Sequence, residues 1–203
     1  MNHLIISAHP SDNSFSNYLA RTLLATSKEK GWDVTWNNLY HNVFNPVLSP
    51  VDLQQIKNNQ LPFDIKSEQQ KIQQADLISV IYPLWWASFP AVLKGYIDRV
   101  FTSGFAYKYG QDGVTGLLTG KKVILHTTMG NTVEEYEEKG LIEAFKSIQG
   151  QEVFGFCGME VTDHRFYPQI TLADESKRDS LLEEALVAYQ LFWTQSNIRN
   201  IAV

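Results

Sequence analysis

Residues 76–82 read Asp-Leu-Ile-Ser-Val-Ile-Tyr and are followed at once by Pro83. A short apolar run that ends at a proline is typical of a strand buried on both faces, as in a parallel sheet. Further runs that we interpret as strands occur at 3–8, 33–39, 121–128 and 151–161. Segments with helical periodicity separate them, at about 14–30, 66–75, 91–100, 135–149 and 174–195. This alternation predicts an α/β fold, a five-stranded, doubly wound parallel sheet with helices on both faces.

The composition narrows the class of protein. A chain of 203 residues, 44% of them hydrophobic, fills one core, so we expect a single domain over residues 1–203. The formal net charge of −5 argues against a nucleic-acid binder and a membrane-surface protein, because both usually need a basic patch. The chain starts without a secretory signal and has no apolar run long enough for a membrane span, so we expect a cytoplasmic protein.

Three loops form the expected binding site. In an open doubly wound sheet, ligands bind outside the carboxyl ends of the strands, near the reversal of strand order. The loops that leave those ends are 9–16, 83–90 and 127–132. A longer connection, residues 40–64, carries three prolines and is expected to be irregular.

The first loop, His9-Pro-Ser-Asp-Asn-Ser-Phe-Ser16, contains no glycine, so it is neither a Walker loop nor a dinucleotide fingerprint. It offers hydroxyls at Ser11, Ser14 and Ser16 immediately before a helix, whose free N–H groups and positive dipole end favour a phosphate. His9 could donate a further hydrogen bond to that phosphate. The alternative is an ordinary helix N-cap, which serine and aspartate serve equally well.

The second loop, Tyr82-Pro-Leu-Trp-Trp-Ala-Ser-Phe-Pro90, places Trp85 and Trp86 at the carboxyl end of a buried strand. Two prolines stiffen this segment, which suits a planar ligand. Its aromatic side chains could form one wall against an isoalloxazine ring while main-chain groups bond the edge of that ring. The alternative is that both tryptophans fill the core under a helix.

The third loop, Thr127-Thr-Met-Gly130, follows a strand with small polar residues and a glycine that lets the backbone approach a ligand. Its N–H groups could face the pyrimidine end of a flavin and favour the negative charge that reduction places there. The alternative is a simple turn between strand and helix, which explains Gly130 without a ligand.

These stretches together resemble the NAD(P)H:quinone oxidoreductases of the flavodoxin-like superfamily, which include DT-diaphorase and smaller bacterial relatives. The resemblance covers residues 3–175, and its most specific part runs over 82–101 and 104–109. That part is similar to the family's P-L-x-W, P-A-x-L-K-G, R-V-F and F-A-Y segments. Residues 155–158, Gly-Phe-Cys-Gly, resemble its fifth-strand region.

The two other loops also match the family. His9, Ser14 and Phe15 keep its H-x-x-x-x-S-F pattern, and residues 127–130 resemble its T-T-G-G loop. Met129 replaces the first glycine of that loop, so a side chain is expected where the family has none.

The resemblance implies a flavodoxin-like fold that holds FMN or FAD and takes hydride from NAD(P)H; no metal is implied. The chain is without the long carboxyl-terminal extension of the FAD-binding members, which leaves both flavins open. The implied cofactor contacts are His9, Ser14, Phe15 and Ser16 at the phosphate, Pro83, Leu84, Trp85 and Trp86 along the ring, and Thr127, Thr128, Met129 and Gly130 at the pyrimidine edge.

The family is typically homodimeric, with its active site at the dimer interface. Tyr107 and Tyr109 are therefore expected to wall the substrate pocket of the partner chain. Longer members stabilise the charge that develops during hydride transfer with a tyrosine and a histidine. Tyr136 could supply the tyrosine as the catalytic residue, but the histidine position falls at Leu141 or Ile142, so this relay is incomplete.

The activity that the resemblance implies is two-electron, ping-pong hydride transfer from NAD(P)H to a quinone, an azo compound or a nitroaromatic. Two alternatives belong to other classes. Some small relatives are ancillary subunits of a potassium/proton antiporter, which would give this chain a membrane partner protein. A flavodoxin-like electron carrier would pass single electrons to a protein and would not use NAD(P)H directly.

Overall fold

The computed structural model describes residues 1–194. Its strands are β1 (Asn2–Ser7), β2 (Asp33–Asn38), β3 (Leu77–Pro83), β4 (Tyr107–Gly110), β5 (Gly113–Gly116), β6 (Lys122–Thr128) and β7 (Glu160–Tyr167). Its helices are α1 (Phe15–Glu29), α2 (Pro50–Lys57), α3 (Phe63–Gln74), α4 (Ala91–Val100), α5 (Val133–Glu137), α6 (Leu141–Phe145) and α7 (Glu175–Val187). A π-helical segment, Lys146–Gly155, continues α6.

The central sheet has the strand order β2-β1-β3-β6-β7, and every neighbouring pair is parallel. The chain passes from β1 to β2 on one side and then to β3 on the other, so the order reverses next to β1. All seven residues of β3 are buried, as expected for a central parallel strand. The predicted five-stranded, doubly wound sheet is confirmed.

Helices cover both faces of this sheet. On one face, α1 and α7 pack on a core that includes Ile5, Ile81 and Ile124. On the other face, α3, α4 and the π-helical segment pack on a core that includes Val80 and Leu125. Alternate residues of each strand therefore enter different cores, which is why the strands read as continuous apolar runs.

The boundaries of α1 follow local sequence signals. Ser14 is its N-cap, with the side-chain oxygen accepting a hydrogen bond from the N–H of Asn17 at 3.2 Å. Gly31, two residues beyond the end of α1, has φ of 79° in the left-handed region that glycine adopts at little cost. Both ends agree with the sequence.

The predicted helix at 135–149 and the predicted strand at 151–161 are wrong in part. Residues 151–161, predicted as the fifth strand, lie mostly in the π-helical segment and the turn after it, and the strand is β7, at 160–167. The predicted helix 135–149 is divided into α5, α6 and the start of that segment. The apolar run around Phe154 enters the core from a helical turn, and periodicity cannot distinguish such a short run from a strand. β7 lies at the sheet edge and is only partly buried, so its sequence, Glu-Val-Thr-Asp-His-Arg-Phe-Tyr, is mostly polar.

Two other elements differ from the sequence predictions. The connection 40–64 contains α2, whose N-cap Ser49 forms a reciprocal capping box with Asp52. The antiparallel hairpin of β4 and β5 lies outside the main sheet and was not predicted. The predicted last helix, 174–195, is α7 with a turn at 188–189 and helical residues from 190, and residue 195 lies outside the described residues.

Arg99 of α4 fixes the connection between β2 and α3. Its side chain is 3% exposed and pairs with Asp52 at 3.1 Å and with Asp64 at 2.6 Å. It also donates to the carbonyl of Asn45 at 3.0 Å. Burial acts to raise the pKa of Asp52, but the Arg99 guanidinium and hydrogen bonds from Ser49 hold it below its ordinary value.

Among residues 1–194, no helix is both long and apolar enough to cross a bilayer.

Candidate active site

The three loops singled out in the sequence leave one edge of the sheet. The register pairs Ser7 with Ile81, Pro83 with Thr128, and Thr128 with Tyr167, so the carboxyl ends of β1, β3, β6 and β7 lie side by side. Main-chain bonds continue past the strands, from Leu84 N to the Thr128 carbonyl and from Met129 N to the Tyr167 carbonyl, both at 2.8 Å. The second and third loops are therefore in direct contact.

The first loop is shaped by Asn17, a fully buried residue of α1. Its side-chain amide donates to the carbonyls of His9 at 3.1 Å and Ser11 at 2.9 Å, while its oxygen accepts from the Ser7 hydroxyl at 3.0 Å. The oxygen of Ser14 is committed to the N-cap of α1. For Ser14, the N-cap interpretation of the sequence is therefore confirmed.

Ser16 differs from Ser14. It lies in the first turn of α1, is 1% exposed, and its hydroxyl has no hydrogen-bond partner among the described residues. The main-chain N–H groups of a first helical turn lack intrahelical acceptors. A buried hydroxyl without a partner is costly, which indicates that this end of the helix meets a ligand or a water molecule.

His9 connects the first and second loops. Its Nδ1 lies 3.1 Å from the N–H of Ser11, and its ring centre lies 5.8 Å from that of Trp85. Partial burial lowers the pKa of His9 below its ordinary value, so the neutral form is favoured. A neutral imidazole that accepts at Nδ1 keeps Nε2 as a donor.

The second loop is a tight turn that exposes both tryptophans. Trp85 and Ser88 exchange main-chain hydrogen bonds of 3.2 and 3.0 Å, and Trp86 and Ala87 between them have φ of 52° and 57°. Left-handed conformations are unfavourable for such residues and tend to occur at functional sites. Trp85 is 41% exposed and Trp86 is 101% exposed, so the core-filling interpretation is wrong.

The third loop leaves β6 with Thr127 and Thr128 buried. Met129 is 1% exposed, so its side chain lies in the protein interior, and its N–H is bonded to Tyr167. The side chain expected where the family has a glycine is therefore packed inward. Within residues 1–194, the N–H of Gly130 has no hydrogen-bond acceptor, which leaves it available to a ligand.

A buried group of side chains joins the second loop to the third. Tyr82 donates to Gln149 at 2.7 Å, and the amide of Gln149 lies 3.4 Å from the carbonyl of Ala87. His164 contacts the hydroxyl of Thr127 through Nε2 at 2.9 Å. Burial lowers the pKa of His164 to about 3 and raises that of Tyr82 above its ordinary value, so both groups are neutral near pH 7.

Tyr167, at the end of β7, joins the third loop to the first. Its carbonyl accepts from Met129, and its ring centre lies 5.3 Å from that of Phe15. Phe15 is only 4% exposed, so it packs under the first loop and contributes a main-chain group, not a ring, to the surface.

The remaining predicted residues lie on α5 and on the hairpin of β4 and β5. Tyr136 is half-buried on α5, the helix after the third loop, with its ring centre 5.8 Å from that of Phe145. Tyr107 and Tyr109 lie on β4, with ring centres 5.6 Å apart, and Tyr107 also packs against Phe156 at 5.4 Å. Tyr109 is 73% exposed, so this aromatic group faces solvent in the single chain.

Sequence reasoning missed residues that support the site from beneath, namely Asn17, Gln149, His164 and Tyr167. Asn17 lies two residues after the H-x-x-x-x-S-F pattern, which was the one available signal. The others were hidden because β7 was misplaced. The structure does bring a histidine to the third loop, but it is His164 on β7, not a residue at Leu141 or Ile142.

The residues present fit a flavin. The unpartnered hydroxyl of Ser16 and the start of α1 suit a phosphate, and the exposed face of Trp85 suits a planar ring. The free N–H of Gly130 suits an acceptor atom at the edge of that ring.

Comparisons with known proteins agree with this fold. Residues 1–191 match the Flavodoxin_2 family, described as having a flavodoxin-like fold. An uncharacterized NAD(P)H oxidoreductase of Haemophilus influenzae is 41% identical, over 91% of this chain and 92% of its own. A ribosyldihydronicotinamide dehydrogenase [quinone] of Pongo abelii is 31% identical, over 96% and 93%. The solved NAD(P)H:quinone oxidoreductase of Methanothermobacter marburgensis is 31% identical, with a TM-score of 0.77 over 93% of this chain and 94% of its own. The chain therefore belongs to the Flavodoxin_2 family.

Proposed function

We propose that this chain is an NAD(P)H-dependent flavoenzyme that reduces quinones, and related azo or nitroaromatic compounds, by two-electron hydride transfer. The observation that carries the proposal is the meeting of three loops at one sheet edge. The second of these loops is a strained turn that exposes Trp85 and Trp86. The relatives named for NAD(P)H and quinone support this chemistry.

A bound flavin would supply the chemistry by accepting hydride from NAD(P)H and passing two electrons to the acceptor. The chain's own residues hold and orient the reactants. Ser16 and the start of α1 hold the phosphate, with His9 as a further donor. Trp85 walls the ring and Gly130 donates to its pyrimidine edge, so the planar reactants stack in one orientation at near-attack distance.

Tyr136 is the proposed catalytic residue. Its hydroxyl would donate to the acceptor oxygen on which charge develops and help to deliver the proton there. His164 cannot fill the second position of the family's relay directly, because it is 8% exposed and its Nε2 is engaged with Thr127. It supports the third loop instead.

The proposal covers FMN and FAD, which share the ring and the first phosphate. A cavity of about 560 Å³ adjoins the first loop and is lined by Phe15, Arg21 and Arg178, among others. The Nε of Arg178 is buried without a partner among residues 1–194, which supports a second phosphate there and hence FAD. Mass spectrometry of the flavin released by heating the purified protein distinguishes the two.

We also propose that the chain functions as a homodimer whose interface completes the substrate pocket. The exposed aromatic group formed by β4 and the neighbouring Phe156, with Tyr109 at 73% and Phe156 at 42% exposure, supports such an interface. Sedimentation velocity would give a mass near twice 23.2 kDa if this is correct and near 23.2 kDa if it is not.

The relatives favour an enzyme over the two alternatives. An ancillary antiporter subunit would co-purify with membranes, and an electron carrier would need a separate reductase before it oxidised NAD(P)H. Steady NADPH oxidation by the purified protein, with menadione as acceptor, excludes the carrier.

The same assay tests the site. Tyr136→Phe should lower turnover by about tenfold or more, because a positioned proton donor typically contributes a larger factor and water replaces it in part. Tyr96→Phe is the matched control, with turnover unchanged, because its hydroxyl donates to Glu68 at 3.2 Å in the opposite core, away from the three loops. Wild-type protein that oxidises no NADPH after incubation with FMN or FAD would refute the proposal.

A further inference from the structure

A chain of hydrogen-bonded side chains crosses the sheet beneath α1 and α7. Its contacts, of 3.1, 2.7, 2.6, 2.6 and 2.6 Å, join in order Ser27, His3, Ser79, Tyr189, His126 and Tyr167. All six residues are at most 2% exposed. The chain connects four of the five strands of the main sheet to α1 and to the turn after α7.

The chemistry of this chain couples its two imidazoles. Burial lowers the pKa of His3 to about 3 and that of His126 well below its ordinary value, so both rings are neutral near pH 7. A neutral imidazole donates from one nitrogen and accepts at the other, and each hydroxyl donates one hydrogen. Donation in one direction along the whole chain fills all five contacts and leaves unused only the hydrogen of a terminal hydroxyl. If both imidazoles donate to the central pair, Ser79 and Tyr189, the contacts are also filled, but a hydrogen of that pair stays unused in the buried interior, which is costly. One-way donation is therefore favoured.

One-way donation fixes the tautomers as a pair. If Tyr167 donates to Nδ1 of His126, then His126 carries its proton on Nε2 and His3 carries its proton on Nδ1. If donation runs the other way, both tautomers are exchanged. In either case one histidine carries its proton on Nδ1 and the other carries it on Nε2.

Tyr167 connects the chain to the candidate site. Its hydroxyl bonds His126, its carbonyl holds the N–H of Met129, and its ring packs on Phe15. The rings of Tyr167 and Tyr189 lie nearly parallel to that of His126, with interplanar angles of 17° and 10°. A displacement of His126 or Tyr189 would therefore move a residue that touches both the first and the third loop.

We propose that His126, Tyr189 and Tyr167 are positioning residues for the flavin, with the buried chain holding the first and third loops in their binding geometry. This inference rests on the proposed function. None of the three contacts the cofactor through its side chain in the proposed site. Their effect passes through the main chain of Met129 and the packing of Phe15.

The tautomers of His3 and His126 test the direction of donation along the hydrogen-bonded side chains without any cofactor. Long-range ¹H–¹⁵N correlation spectra of the ¹⁵N-labelled flavin-free protein distinguish Nδ1–H from Nε2–H for each histidine. We expect opposite tautomers for His3 and His126. The same tautomer in both rings, or averaged signals from either ring, would overturn the coupling.

Flavin binding tests the positioning role. Tyr189→Phe removes the middle hydroxyl of the chain without touching a loop, and Tyr96→Phe is the matched control, because Tyr96 is 1% exposed and donates to Glu68 at 3.2 Å in the opposite core. Titration of the flavin-free proteins with FMN and with FAD, followed by flavin fluorescence, should show about three- to tenfold weaker binding for Tyr189→Phe only, the factor expected for one lost hydrogen bond. Ser79→Ala breaks the same link with a smaller change and should weaken binding in the same direction if Tyr189→Phe does not fold.

The outcomes separate the two proposals. If the wild type, Tyr189→Phe and Ser79→Ala all bind flavin with equal affinity, the positioning role alone is overturned. Equal weakening by Tyr96→Phe would also overturn it, because the effect would then be a general loss of stability. Wild-type protein that binds neither flavin would overturn the proposed function and this inference with it.

Discussion

Acidification should destabilise this protein steeply, because three of its five histidines are buried and neutral. His3, His126 and His164 are 1%, 0% and 8% exposed. Burial lowers the pKa of His3 and His164 to about 3 and that of His126 well below its ordinary value. The unfolded chain binds protons below about pH 6.5 while the folded rings stay neutral, so unfolding takes up protons and the free energy of unfolding falls as the pH falls.

The magnitude follows from linkage. Between pH 7 and pH 5, each such histidine lowers the free energy of unfolding by about 2 kcal/mol, so the three together lower it by about 6 kcal/mol. This is comparable to the whole stability of many domains, about 5–15 kcal/mol. The loss begins near pH 6.5 and, for His3 and His164, continues until their folded-state pKa values of about 3 are reached.

Urea unfolding at pH 7, 6 and 5, followed by tryptophan fluorescence, measures this loss. His3→Asn should reduce the difference between pH 7 and pH 5 by about a third, roughly 2 kcal/mol, whatever its effect at pH 7. Tyr96→Phe, a buried change that leaves all histidines in place, should lower stability equally at each pH. A His3→Asn variant with the pH dependence of the wild type would refute the reasoning.

Three further changes test the fold and the strained turn. Arg99→Ala should cost about 3–5 kcal/mol in urea unfolding because it leaves the buried carboxylate of Asp52 unpaired, and a loss below 1 kcal/mol would contradict the paired arrangement. Gly95→Ala should lower the midpoint of thermal unfolding strongly, since the added carbon would overlap the carbonyl oxygen of Pro46, and unchanged thermal unfolding would show that α4 does not approach so closely. Trp86→Asn should raise the free energy of unfolding by about 0.5–1 kcal/mol, because asparagine tolerates φ of 52° better than tryptophan does. The same change should lower turnover with menadione. A lower free energy of unfolding would mean that the turn is not strained.

The sequence predicted the elements whose signals are local. β3 is buried throughout and ends at a proline, and α1 has a serine cap and a terminal glycine, so both were predicted close to their observed bounds. β7 was not predicted at its observed position, because this edge strand is half-exposed and shows no apolar run. The π-helical segment supplied Phe154 to the core in its place, with a spacing that a strand would also give.

The sequence predicted the loops of the site but not the contacts beneath them. The loops could be named because parallel strands bring their carboxyl ends together, and the exposed Trp85 and Trp86 fit that prediction. The contacts beneath the loops, such as that of His164 with Thr127, join residues far apart in sequence. They depend on the register of β7 against β6, which no local pattern encodes.

The most direct test of the account is the visible spectrum of the flavin-loaded protein in anaerobic buffer, first with NADPH and then with menadione. The account predicts flavin absorption bands that bleach with stoichiometric NADPH and recover fully when menadione is added. Absorption that persists with NADPH or NADH, or a protein that takes up neither FMN nor FAD, would contradict the central claim.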